Sequence, residues 1–257
     1  LEPYALLANI AGCTSRIQLG VLATSVLYRS PTLLAKTVTS LDALSLGRAV
    51  LGIGAGHPRT ESEAREYGFE FPSVPERMGL LDDALRTIRA MTGATVDPAV
   101  PVNQPRPVNP AGIPVLVAGS GEQRLLRIAA QHADMINLSF PSGDTLERLP
   151  HKLDVLASHC ASVGRDPATI QVTYKAVVSI APDRAEAQRG FDQWRQARGF
   201  RPVGANDGVF VGEPGDVAEQ AAPFFDAGVD QLVIEFAGQT DVKTIELTAD
   251  AFAGLAQ

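Results

Sequence analysis

The sequence predicts an α/β fold built on parallel strands, and three observations carry that prediction. Short apolar runs alternate with amphipathic helical stretches along the whole chain of 257 residues. The run Ala49–Ile53 is apolar without alternation, the pattern of a strand buried on both faces. Two strand runs, moreover, empty into glycine turns, Gly54-Ala55-Gly56 and Gly119-Ser120-Gly121, that lead toward helices.

The elements follow in order. An opening helix is expected near Tyr4–Ala11 and a strand over Ile17–Ala23. Ser30 caps a helix that has Pro31 in its first turn, where the missing N–H costs nothing, and Gly47 closes it. After strand Ala49–Ile53 and its glycine turn, Thr60 with Glu63 has capping-box spacing and starts the next helix. Ser73 with Glu76 opens a helix from Pro75 to Met91 that stops at Gly93. A Pro-rich connection, Asp97–Pro114, leads to strand Val115–Ala118, the second glycine turn and a helix to His132. Strand Met135–Leu138 precedes a helical region, Thr145–Val163, broken or kinked by Pro150. Strand Ile170–Ile180 is followed by helix Arg184–Arg198, capped by Asp183 with Glu186. An irregular stretch, Gly199–Gly212, precedes helix Asp216–Ala227, strand Gln231–Phe236 and a helix from Val242.

This pattern gives about six strands, whereas a closed (β/α)8 barrel of the TIM type has eight. The expectation is therefore a single barrel domain over residues 1–257, N-terminally incomplete, with a helical and irregular insertion around 183–212. A naturally shortened barrel and a six-stranded doubly wound sheet are the alternatives. The first glycine turn lacks the G-x-G-x-x-G spacing of a dinucleotide fold.

Composition narrows the class of function. A net charge of −7 spread along the chain argues against nucleic acid as a partner, and no apolar run approaches the length of a membrane span. Cys13 and Cys160 are isolated and fit reduced thiols in a cytoplasmic protein. His132, His151 and His159 are not joined by cysteine or carboxylate at metal-ligand spacing, so no metal is expected. A G-x-S-x-G elbow is absent. In a parallel barrel the ligand lies at the C-terminal ends of the strands. Four such ends carry candidates: Leu22-Ala23-Thr24; Ala55-Gly56 with His57 and Thr60; Ala118-Gly119-Ser120-Gly121; and Ser139. Read as residues alone, each is also compatible with a strand running into an ordinary turn or a helix cap. His57 is a weak catalytic candidate, because one histidine without an evident partner says little. Trp194, Arg195 and Phe200 read as packing and surface.

The segment RSPTLLAKTVTSLDALSLGRAVLGIGAGHPRTE, Arg29–Glu61, resembles the luciferase-like flavin and deazaflavin oxidoreductases, with their P-x-x-x-A-K … S-x-G-R-x-x-L-G-x-G-x-G … E signature. The segment V-L-V-A-G-S-G, followed by R-L-L-R-I-A-A-Q-H-A-D, is similar to that family's phosphate-binding turn, and G-E-P-G-D-V-A-E-Q with D-A-G-V-D-Q-L to its last unit. Tyr67-Gly68-Phe69, Phe71-Pro72 and Glu76-Arg77-Met78 look most like the actinobacterial branch that uses coenzyme F-420.

The resemblance implies a bulge near Leu22–Ala23, often with a non-proline cis peptide, supporting the middle ring of the cofactor. It implies that Ala55, Gly56 and Thr60 approach the ring and side chain, and that Ala118, Gly119, Ser120 and Gly121 hold the phosphate, with Arg124 adding charge. Ser139 would lie by the cofactor tail. The implied activity is hydride transfer between F-420 and a small organic substrate by a homodimer. An FMN-dependent monooxygenase on the same fold, or a cofactor-free paralogue acting as an interaction protein, are the other readings. Two departures stand out: the family's first two strands have no counterpart, and the connection Gly93–Pro107 is short and lacks the usual hairpin.

Overall fold

The computed structural model describes residues 1–93, 97–139, 145–199, 204–238 and 240–255, in two compact units. The first comprises Leu1–Ile136 with His159–Ile170, and the second Asn137–Ser158 with Gln171–Gln257.

In the first unit, helix α1 (Pro3–Cys13) leads to two short strands, β1 (Leu19–Gly20) and β2 (Thr24–Ser25). Helix α2 (Pro31–Ser45) and strand β3 (Ala49–Gly54) follow, then α3 (Glu61–Glu66), α4 (Val74–Thr92), β4 (Val115–Ala118) and α5 (Leu125–His132). Both β1 and β2 pair parallel with β3, Leu19 beside Ala49 and Thr24 beside Ile53, and β3 pairs parallel with β4. The expected strand Ile17–Ala23 is thus two pieces separated by Val21–Ala23. The cause lies in β3: a Cβ on Gly52 would stand 2.0 Å from the Val21 carbonyl oxygen, so that carbonyl occupies the volume a side chain would fill. The Leu22–Ala23 peptide is cis, at the place where the family resemblance puts one.

Helix α2 ends one residue before the expected stop. Leu46 itself takes the left-handed conformation (φ 57°), followed by Gly47 (φ 88°), whose N–H donates to the Asp42 carbonyl. The next residue, Arg48, ties three chain segments together. Its Nη2 donates to the carbonyls of Ala11 (3.1 Å) and Thr14 (2.9 Å), satisfying the C-terminus of α1. Its Nη1 donates to the Ile17 carbonyl (2.8 Å) and Thr14 hydroxyl (3.0 Å), and its Nε to the Ser45 carbonyl at the end of α2 (2.7 Å).

Strand β5 (Met135–Ser139) begins in the first unit and ends in the second, and α6 (Leu149–Ser162) runs between them in sequence. Pro150 sits in the first turn of α6, behind a short 3-10 turn at Leu146–Arg148, so the expected long helical region is split there. The second unit continues with β6 (Gln171–Ile180), α7 (Arg184–Arg198), β7 (Val209–Gly212), α8 (Pro214–Asp226), β8 (Gln231–Phe236) and α9 (Val242–Phe252). Strand β6 pairs parallel with both neighbours, Val177 beside Val209 on β7 and Thr173 beside Gln231 on β8. Five of the six expected strand runs are present, and the sixth, Ile17–Ala23, is the divided one. The stretch expected to be irregular through Gly212 contains a seventh, Val209–Gly212, too short to show a period yet buried at Val209, Phe210 and Gly212. Phe200 lies outside the described residues.

One device sets strand register in both units. Asp134 N donates to the Val115 carbonyl (2.8 Å), while its Oδ2 accepts from Val115 N (2.8 Å). Asp230 does the same to Val172, with distances of 2.8 and 2.6 Å. Each aspartate stands just before its strand and grips both polar groups of one residue on a neighbouring strand, β4 for Asp134 and β6 for Asp230.

Two outcomes follow from these contacts. Replacing Arg48 by Met strands carbonyls at two helix ends and should cost about 3 kcal/mol in urea unfolding; a loss below about 1 kcal/mol would mean that water satisfies them equally well. Gly52→Ala drives a Cβ into backbone and should cost about 3 kcal/mol or more by the same measurement.

Candidate functional site

The site of interest in the first unit is built from backbone and small side chains. Gly52 and Gly54 lie on one face of β3, two residues apart, and Gly56 follows just past the strand. A Cβ on Gly54 would meet the Ala118 carbonyl at 3.3 Å and the Cβ atoms of Ala118 and Ala23 at 4.0 Å. The ends of β2, β3 and β4 therefore converge at Ala23, Gly54 and Ala118, three of the strand ends singled out in the sequence. Gly56 is left-handed (φ 85°) and stands against Ser25, Leu27 and Phe71. Leu22, whose Cα lies beside Gly52, is more than a third exposed.

Thr24 is turned inward. It is buried, and its hydroxyl shares a 2.7 Å hydrogen bond with the Tyr4 phenol, whose pKa is pushed up by burial, so the phenol stays protonated. Of Thr24, this leaves the backbone rather than the hydroxyl for any ligand.

Thr60 does not cap the following helix. Its hydroxyl donates to the His57 carbonyl (2.8 Å), and the cap comes earlier, where His57 Nδ1 accepts from Arg59 N (3.1 Å). Pro58 is the reason: its set φ starts a 3-10 turn, Pro58–Thr60, ahead of α3. With Nδ1 accepting, the neutral His57 ring carries its proton on Nε2, at an exposed position.

The second glycine turn also departs from expectation. Gly119 is left-handed (φ 131°), but α5 begins only at Leu125, after an intervening turn in which Leu126 N donates to the Gly121 carbonyl. Arg124 reaches across to the Pro75 carbonyl (3.3 Å), and the two line a groove of about 320 Å³ between α4 and α5. Ser120 is half-buried at this turn; Ser139, also half-buried, ends β5 in the second unit.

One residue of this region was read from sequence only as part of a family motif. Arg77, in the first turn of α4, is 5% exposed. Its Nη1 donates to the Pro72 carbonyl (2.8 Å) and its guanidinium lies 4.1 Å from the centre of the Phe71 ring, the ring that also meets Gly56. Among the described residues no carboxylate pairs with it, and its Nε has no acceptor. A guanidinium is always charged, and leaving one buried without a counter-ion is costly. The signal in the sequence is an arginine in the apolar stripe of α4, four residues before Leu81 and seven before Ala84. Glu76, its neighbour, is spent on Ser73, accepting from its N–H (2.8 Å) and hydroxyl (2.6 Å), which holds the carboxyl below its usual range.

Among the described residues there is no group of three or more histidines, cysteines or carboxylates fit to hold a metal, and no helix long and apolar enough to cross a membrane. His132 is bonded to Asp82 (2.8 Å) and His159 to the Glu122 carbonyl (2.8 Å).

Known proteins resemble this chain along most of its length. It is 30% identical over 229 residues to the phthiodiolone/phenolphthiodiolone dimycocerosates ketoreductase of Mycobacterium sp. strain JLS, covering 82% of this chain and 56% of that protein. The chain thus spans about half the length of this ketoreductase and of its Mycobacterium bovis counterpart. It is 25% identical to the F-420-dependent glucose-6-phosphate dehydrogenase of Rhodococcus erythropolis, over 91% of this chain and 77% of the relative. The coenzyme F-420 dependent tetrahydromethanopterin reductase of Methanopyrus kandleri superposes with a TM-score of 0.78 at 19% identity, over 100% of this chain and 88% of the other, which shows a common fold. The family model described as luciferase-like monooxygenase matches residues 1–235, and the chain belongs to that family.

Proposed function

We propose that this chain is an oxidoreductase that transfers a hydride between the deazaflavin coenzyme F-420 and a small organic substrate. The carrying observation is the small-residue cradle where Ala23, Gly54 and Ala118 meet, with the buried, unpaired Arg77 close behind Phe71 and Gly56. A flat ring system needs a wall without side chains, and its phosphate needs a cation; both are present in the first unit. The relatives named for F-420 support the deazaflavin, while the luciferase-like monooxygenase description keeps an FMN-dependent monooxygenase as the second reading.

In this reading Leu22, Ala23 and the backbone of Thr24 support the ring from one side, and Ala55, Gly56 and Thr60 approach it from another. Ala118, Gly119, Ser120 and Gly121 hold the phosphate, with Arg77 and Arg124 supplying positive charge. Ser139 is assigned to the cofactor tail on the family resemblance. When bound, the cofactor supplies the hydride at its central ring carbon; the chain's part is to orient the ring and balance its charge. His57 Nε2 is available to donate a hydrogen bond, a minor role beside that of the backbone.

Titration with F-420 and with FMN, followed by fluorescence, tests the proposal. Quenching by F-420 is expected; tight FMN binding with none for F-420 would move the assignment to the monooxygenase, and binding of neither would overturn both. Arg77→Met gives a second test. Removing a buried cation that lacks a counter-ion should leave the melting temperature nearly unchanged, because a well-packed apolar replacement is often neutral or better. Cofactor affinity should fall about tenfold, the value of one charge-assisted hydrogen bond. A destabilised variant with unchanged affinity would make Arg77 purely structural.

A further inference from the structure

Strand β6 is buried at every residue from Val172 to Ile180 except Lys175. Tyr174 and its even-numbered neighbours face α8, where the Tyr174 ring lies 4.8 Å from that of Phe224. Lys175 stands on the opposite face, with Thr173, Val177 and Ser179. Its Nζ lies 2.5 Å from Glu235 Oε2, and Arg198 Nη1 lies 2.9 Å from Glu235 Oε1. Each oxygen of one carboxylate is thus taken by a different cation, and the trio carries an excess positive charge. Arg198 is steadied from below: its guanidinium lies 5.3 Å from the centre of the Trp194 ring, and Trp194 is buried with Phe191, Val177 and Val209.

Stability alone does not account for this trio. A partly buried ion cluster does about as well as apolar residues of the same size, and the neighbours of Lys175 on its face of the strand, Thr173, Val177 and Ser179, are all uncharged. Placement adds to the case. Glu235 is the fifth of the six residues of β8, at the C-terminal end, where parallel α/β proteins bind ligands. The side chains of Lys175 and Arg198 remain 36% and 55% exposed, and each cation has more N–H donors than its bond to Glu235 uses.

We infer that Lys175 and Arg198, held apart by Glu235, form a site for an oxyanion, a carboxylate or phosphate. Its binding does not depend on the oxidoreductase reading. Glu235 arranges the two cations and also competes with the incoming anion.

Calorimetric titration of the whole chain with succinate, with its neutral twin succinamide and with inorganic phosphate, all at constant ionic strength, tests this without any cofactor. At least one of the two anions should bind and succinamide should not; the tighter anion identifies the oxyanion class. Arg198→Gln, at an exposed helix end, should weaken anion binding about tenfold, and Lys175→Gln similarly. Glu235→Gln should tighten it several-fold by removing the competing carboxylate. Binding by neither anion, equal response to succinamide, indifference to Arg198→Gln, or loss of binding in a folded Glu235→Gln variant would overturn the inference. Anion binding in a chain that takes up neither F-420 nor FMN would sustain the site and sink the cofactor reading.

Discussion

The first unit depends on how Arg48 resolves the ends of two helices. An α-helix leaves its last four carbonyls without partners, and α1 and α2 both end beside the start of β3. A single guanidinium, with five donors in a rigid fork, serves the carbonyls of Ala11, Thr14, Ile17 and Ser45 at once. Lysine could supply the charge but not the fork. Because the same residue opens β3, joining the helix ends also sets where that strand begins, and so where its glycines fall beside Val21 and Ala118.

The paired grips of Asp134 and Asp230 act on strands in the same way. Parallel strands share no tight hairpin to set their register. A slip of one residue would turn every side chain to the wrong face. An aspartate that holds both the N–H and the carbonyl of one residue across the gap removes that freedom at the strand's first step. The acidic residues of A-D-M and V-D-Q are therefore accounted for by architecture, with no chemical role required of them.

Much of this was legible in the sequence, and the misses have physical causes. Strands Val115–Ala118 and Gln231–Phe236 and helix Arg184–Arg198 match their expected bounds, because apolar runs and caps such as Asp183 are local signals. The division of Ile17–Ala23 depends on Gly52, some thirty residues away, and no window of sequence contains both. Thr60 lost its cap to the three-residue turn that Pro58 starts. Strand Val209–Gly212 is too short for periodicity to reveal, and is held by pairing with Val177–Ile180. At the candidate site the glycines could be read directly, since glycine is their signal. Arg77 could not: its significance lies in what it lacks, a counter-ion, and that is a fact about neighbours in space. Lys175 and Glu235, sixty residues apart in the chain, become a pair only through the register of β6 with β8.

The glycine face of β3, filled by the Val21 and Ala118 carbonyls, has a thermodynamic consequence. Side chains that line a pocket lose rotamer freedom when a ligand settles, typically about 0.5–1.5 kcal/mol for each one immobilised. At Gly52 and Gly54 there is nothing to immobilise: the wall is backbone, already ordered by strand pairing with β2 and β4. The entropy of shaping that surface was spent when the chain folded. A ligand with a rigid planar ring, as proposed for this site, would bring little internal freedom of its own, so the two surfaces would meet with almost no conformational loss on either side.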